Sequence, residues 1–263
     1  MKKLFIVVPT VDENDKDYEK YLKPSIPKHL LKNTYCIDNT KGNSMFAKYN
    51  YAIDYLTNKR KLDDEDMIAF IHSDITLLDQ TFEAKLSLTF DYKTEVGIIG
   101  VYGSTQFNEQ FGWWLNDRSK HARGHIQQGI NGATFHMSDR IGYFDDMVVV
   151  DGCFLVVRGA LAKTLQFRSD MDGYHQYENS YCIDTHLKTD YKVSVADILV
   201  QHESEGQMPE DWFTNGKKLF KEYSDIGLKF PLTVKSIKQF KTDDIGEAWN
   251  FGQTETSSPT MSA

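Results

Sequence analysis

The chain has 263 residues, with 30 Lys plus Arg against 38 Asp plus Glu, a formal net charge of −8 and 13% aromatic residues. That length fits one large domain, and 16 Phe and 14 Tyr supply a sizeable core. The negative balance argues against non-specific binding to nucleic acid or anionic lipid, which needs a positive surface; a local basic patch would still be compatible with it.

Leu4–Val8 reads as a first buried strand closed by Pro9-Thr10. Five apolar residues before Pro9 are too few for a signal-peptide core, and no run of about 18 apolar residues offers a membrane span. Val11–Lys23 is polar and acidic, a loop or frayed helix. Thr34–Ile37 is a short strand ending in Asp38-Asn39. Ser44 or Asn43 caps a helix to about Asn58, with Phe46, Tyr49, Ile53 and Leu56 on its apolar face.

The stretch Met67–Leu78 runs apolar from Met67 to Ile71, breaks at His72-Ser73-Asp74 and resumes at Ile75. This pattern predicts a buried strand whose end carries Asp74 into a cleft, where a carboxylate can hold a hard divalent cation. Asp74 as a turn or helix cap is the plainer alternative. Asp79 begins a helix to about Phe90, and Val96–Val101 is the next strand. Residues 104–146 are aromatic and glycine-dotted, and are expected to form a partly ordered substrate loop carrying Trp113 and Trp114, the plainer alternative being an insertion with its own small strands. Val148–Val157 is a strand interrupted by Asp151-Gly152. Glu178–Leu187 starts a helix, Tyr191–Val200 is a strand running into Gln201-His202, and Trp212–Tyr223 is an amphipathic helix. The segment from about Ser236 is polar, and Thr254–Ala263 has a disordered composition. Cys36, Cys153 and Cys182 form no CxxC pair, which fits a reduced, cytoplasmic protein.

Polar groups recur where predicted strands end or helices start: Asp38-Asn39, His72-Ser73-Asp74, Asp151-Gly152, His175 with Glu178, and His202. In order, FIVVPT, YCIDNTKGNSMFAKYNYAIDYL, IAFIHSDI, VVVDGCFLVVRG, YHQYENSYCID and VSVADILVQHES resemble a family-two-like glycosyltransferase of the GT-A fold, in the group of the streptomycin-biosynthesis glycosyltransferase domain.

The resemblance implies an α/β fold, a Rossmann-like mixed sheet flanked by helices, over residues 1–235, with a partly disordered tail over 236–263. It implies Mn²⁺ or Mg²⁺ on Asp74, at the DxD place, and on His202. It implies donor contacts at Thr10, Asp38, Asn39, Asn50, His72, Ser73, Asp151 and Gly152. The first Asp of DxD is His72 here. Trp113, Trp114 and His175 fall to the acceptor or lid. Where the family has HxYDxD, the acids read Glu178 and Ser180, so Glu178 becomes the expected base and Asp184, about two turns into the helix, its rival. The implied partners are a UDP- or GDP-type nucleotide-diphosphate sugar and a hydroxyl acceptor such as a glycan. The alternatives are a catalytically silent nucleotide- or glycan-binding member, and a sugar nucleotidyltransferase; PTVDENDKD lacks the glycine- and arginine-rich loop usual in the latter.

Overall fold

The computed structural model describes residues 2–12, 14–130, 133–204, 206 and 208–242. Its centre is a pair of apolar strands. β1 (Leu4–Pro9) lies parallel to β3 (Met67–Ile71), with Leu4 opposite Met67, and β2 (Thr34–Ile37) lies parallel to the other edge of β1. All five residues of β3 are buried, as expected for a strand covered on both faces.

The remaining strands are β4 (Ile75–Leu77), β5 (Val96–Gly100), β6 (Tyr102–Ser104), β7 (Ala122–Ile130), β8 (Ala133–Asp139), β9 (Phe144–Met147), β10 (Val149–Val150), β11 (Phe154–Arg158), β12 (Lys192–Val195) and β13 (Val200–Glu203). Among the described residues they form a main sheet in the order β2-β1-β3-β11-β5-β12-β9 and a second in the order β10-β6-β7-β13-β4, with β8 paired to β7. The main sheet is mixed: β11 runs antiparallel to β3 and to β5, while β12 runs parallel to β5.

The helices are α1 (Lys23–Ser25), α2 (Met45–Arg60), α3 (Phe82–Tyr92), α4 (Arg118–His121), α5 (Gly159–Thr164), α6 (Tyr177–Lys188), α7 (Glu210–Asp225) and α8 (Val234–Thr242). Ser44 caps α2, its hydroxyl accepting from the Ala47 N–H. The spacing of Phe46, Tyr49, Ile53 and Leu56 places all four in the core, as expected. Asp79 accepts from the Thr81 N–H at the entry to α3.

Three expectations are corrected. Residues 104–146 are more ordered than the expected substrate loop and follow the alternative of an insertion with strands of its own: β7 and β8 form a hairpin with seven paired positions, from Gly124–Asp139 to Ile130–Ala133. Alternating side chains along these strands serve two faces, and that diluted the sequence pattern. The single strand expected over 191–200 is two. β12 stays in the main sheet; β13 joins the second, and His202 lies inside it rather than beyond it. The boundary expected at residue 235 falls inside α8, whose Ile237 is buried in the core, so the packed fold reaches Thr242. The rest of the expected tail, from residue 243 on, lies outside the described residues. No helix among the described residues is long and apolar enough to cross a membrane.

Candidate active site

The site begins where β3 stops. After Ile71 the chain turns through His72-Ser73-Asp74, held by His72 N–H to the Cys153 carbonyl (3.0 Å) and Glu203 N–H to the Asp74 carbonyl (3.1 Å). The chain then enters β4, which runs antiparallel to β13 with Ile75 opposite His202. That register brings His202 beside Asp74, its Nε2 3.5 Å from Oδ2. The His72 and His202 rings lie 5.6 Å apart. One ligand atom from each of His72, Asp74 and His202 lies within 4.8 Å of the other two. An oxygen with two imidazoles suits a hard or borderline divalent cation.

Electrostatics support that use. Burial pushes the Asp74 carboxyl up to about 6 and holds both imidazoles below the ordinary histidine value. Neutral imidazole is the form that ligates, and a cation favours the ionised carboxylate. The donor set therefore fits a divalent metal. His72, expected among the donor contacts, falls within this set.

Behind His72 stands Tyr177, at the start of α6, with its hydroxyl 2.6 Å from His72 Nε2. Gly152 makes room for it: a Cβ there would come 2.3 Å from the Tyr177 oxygen and 3.1 Å from the Glu178 Cβ. The Asp-Gly break between β10 and β11 thus admits α6 to the cleft. Asp151 closes that turn by accepting from the Cys153 N–H (2.9 Å). Glu178 is half-buried, takes a bond from the Asn179 amide (3.2 Å), and burial with nearby Asp151 raises its carboxyl to about 8.

A cleft of about 730 Å³ joins these groups. His72, Asp74, Asp151, Gly152, Trp113, Trp114, His175, Glu178 and His202, all named from the sequence, line it. Trp113 is chiefly a packing residue, 3% exposed and edge-on to Tyr102 at 4.7 Å. Trp114 is half-buried and lies 6.0 Å from Trp212. Tyr177, Trp212 and Glu203 also line the cleft and were not singled out from sequence; aromatic residues in helices resemble ordinary core positions.

Other expected residues lie elsewhere. Asp184 is 2% exposed at the α6–α7 contact, bonded to the Tyr223 hydroxyl (3.0 Å) and the Lys188 ammonium (2.8 Å), so it does not face the cleft. Its place in α6 turns it away from the face that carries Glu178. Asn50 is committed to the backbone of Phe167, donating to its carbonyl and accepting from its N–H, both at 2.8 Å. It ties α2 to the segment after α5 and lies outside the lining of the main cleft. Ser73 lies in the turn, outside the cleft lining.

Thr10 and Asp38-Asn39 stand at the ends of β1 and β2. Lys48, 1% exposed, reaches the Thr10 carbonyl (2.7 Å) and lies 5.7 Å from the Tyr174 ring; the Tyr174 hydroxyl is 3.4 Å from Asn39. Tyr174 lines the main cleft, which makes these residues continuous with its rim. Lys48 went unnoticed in sequence because it sits among apolar neighbours on the buried side of α2.

A mixed α/β sheet whose strand end presents a carboxylate and two imidazoles to an aromatic cleft is a ligand-binding arrangement at the carboxyl end of a strand. The model of a glycosyltransferase-like family matches residues 7–223, and the chain belongs to that family. Among solved structures, TarS 1–349 of S. aureus shares the fold at TM-score 0.51 and 14% identity, over 96% of this chain and 73% of that one. A longer S. aureus TarS structure aligns at TM-score 0.48 and 14% identity, with 96% of this chain covering 44% of it. A197 from STIV aligns at TM-score 0.46 and 10% identity, over 78% of this chain and 87% of that one. No curated protein sequence matches the chain.

Proposed function

We propose that the chain moves a sugar from a nucleotide-diphosphate donor, of the UDP or GDP type, to an acceptor hydroxyl with inversion at the anomeric carbon. The observation that carries the reading is the trio His72, Asp74 and His202 in one cleft with the half-buried carboxyl of Glu178. Mn²⁺ or Mg²⁺ held there would neutralise the charge of the departing nucleoside diphosphate. Glu178, once deprotonated, takes the proton of the acceptor hydroxyl as its oxygen bonds to the anomeric carbon and the bond to the diphosphate oxygen breaks. Trp114 and Trp212 offer apolar faces to a sugar ring, which favours a glycan acceptor. Thr10, Asp38, Asn39 and Lys48 belong to the donor's nucleoside side in this reading, and Asp151 and Gly152 to its sugar.

The kinship with the streptomycin-biosynthesis group is part of the same proposal and rests on the HSD turn and the ordered segments. So is a cytoplasmic location, for which the three unpaired cysteines speak. The test is release of nucleoside diphosphate from a panel of UDP- and GDP-sugars with Mn²⁺, against the same panel with chelator and with Asp74→Asn. Metal-dependent release lost in Asp74→Asn supports transfer. Tight binding without turnover would indicate a silent member, and pyrophosphate formed from a nucleoside triphosphate a nucleotidyltransferase.

A further inference from the structure

The β7–β8 hairpin has two working faces. Ile126, Gln128 and Ile130 of β7 and Met137 of β8 line the cleft. Strand alternation sends their neighbours His125 and His136 to the opposite face, where their rings lie 5.8 Å apart. A third group meets them there. Asp197, in the connection between β12 and β13, brings its Oδ1 to 3.0 Å from His125 Nε2.

His125 is 7% exposed, yet neither ring nitrogen has a partner in hydrogen-bond geometry. A buried imidazole with both nitrogens unsatisfied is costly. A ring nitrogen and a carboxylate oxygen that face each other at 3.0 Å without hydrogen-bond alignment are disposed as two ligands of one ion. Lys85 is close, bonded to the Asp197 carbonyl, but its ammonium is paired with Asp79 at 2.7 Å. The set is looser than the cleft trio. His125 Nε2 and Asp197 Oδ1 lie 3.0 Å apart, and the exposed ring of His136, 5.8 Å from that of His125, has to turn to join them.

We propose that His125, His136 and Asp197 form a second divalent-cation site, of zinc type, on the reverse face of the hairpin. Two imidazoles, a carboxylate and one water complete a four-coordinate shell suited to Zn²⁺. An ion there ties β7 and β8 to the β12–β13 connection and braces the cleft wall from behind. The site holds no substrate and is independent of the proposed transfer.

Co²⁺, as a spectroscopic stand-in for Zn²⁺, tests this in the full chain by its visible absorption and by equilibrium dialysis with metal analysis. Asp74→Asn with His202→Gln disables the cleft trio; this variant should still take up Co²⁺ at one site. Adding His136→Ala or Asp197→Asn, both at exposed positions, should abolish that uptake, and adding His125→Gln should do the same. Failure of the cleft-disabled variant to bind Co²⁺ overturns the proposal. So does unchanged uptake after His136→Ala and Asp197→Asn, whatever the fate of the buried His125→Gln variant.

Discussion

The Tyr177 hydroxyl lies 2.6 Å from His72 Nε2, which leaves Nδ1 of that imidazole to ligate a cation. Burial raises the Tyr177 phenol well above its ordinary value, which keeps it a neutral partner. A histidine that ligates through one nitrogen is normally oriented by a hydrogen bond at the other, and losing that bond costs about 10–100-fold in metal affinity. Tyr177→Phe should therefore weaken Mn²⁺ binding by that order while the fold is kept, since the ring still packs edge-on to Phe46 at 6.3 Å and Tyr49 at 5.3 Å. Calorimetry with Mn²⁺ alone is the check. Unchanged affinity would make the contact a packing detail.

His202→Gln should lower Mn²⁺ affinity without unfolding the chain, because the backbone pairing of Ile75 with His202 does not depend on the ring. Asp74→Asn removes the oxygen ligand and should do more damage than His202→Gln. A larger loss from His202→Gln than from Asp74→Asn would argue that the imidazole, not the carboxylate, dominates the shell. Removal of metal by chelator should lower the melting temperature of the wild type more than that of Asp74→Asn, as expected when one native-state metal site has already been lost in the variant.

Much of this was legible in sequence. The apolar runs located β1, β3 and β5, and the helical spacing of Phe46, Tyr49, Ile53 and Leu56 located α2, because one buried face repeats with a fixed period. Breaks in apolar runs marked two corners of the cleft: HSD after Ile71 falls where the chain leaves the main sheet for the second, and DG after Val150 where it returns. What was not legible depended on pairing across long sequence separations. Nothing local in Tyr191–Val200 announces that the chain changes sheets at Ala196–Leu199, and Tyr177 matters only through its contact with His72, 105 positions earlier. Asp184 shows the reverse: an acid whose sequence position offers a base, but whose carboxylate is bonded to Tyr223 and Lys188.

Trp113 and Trp114 are adjacent in sequence but should behave differently. Trp113 is buried against Tyr102, so Trp113→Ala should cost about 3–5 kcal/mol of stability, measured by denaturant unfolding. Trp114 is part of the cleft wall with Trp212, and Trp114→Ala should raise the acceptor KM more than it lowers the melting temperature. An acceptor-induced change in tryptophan fluorescence should persist in Trp113→Phe and shrink in Trp114→Phe. The opposite pattern would place the acceptor away from this wall.

Asp184→Asn should destabilise the fold by about 1–3 kcal/mol, since it weakens buried bonds to Lys188 and Tyr223. Turnover per folded molecule should stay close to wild type. A loss of turnover with unchanged stability would return Asp184 to the list of bases.

Glu178 yields the last prediction, in which stability and activity move in opposite directions. Its carboxyl is raised to about 8 by burial. As a base it must first lose its proton, so kcat/KM should climb about tenfold per pH unit below about 8 and level off above. Protonation of the Asp74 carboxyl competes with metal, so a second, acid-side fall should appear as metal is lost. Folding linkage has the same origin. The unfolded chain ionises Glu178 near its ordinary value, while the folded chain keeps it protonated up to about 8. Stability from this group is thus fully present at low pH and is lost as pH rises through about 8, by an amount on the order of a few kcal/mol once partial exposure is allowed for. Glu178→Gln keeps the shape and removes the ionisation. At pH 8 the variant should melt higher than the wild type, and the gap should close toward pH 4.5. Its transfer rate should fall by about 10²–10⁴-fold with donor affinity nearly unchanged, and the limb near pH 8 should vanish from its rate profile. A variant that gains stability yet transfers sugar like wild type would leave Glu178 a buried acid and send the search for the base to Asp151.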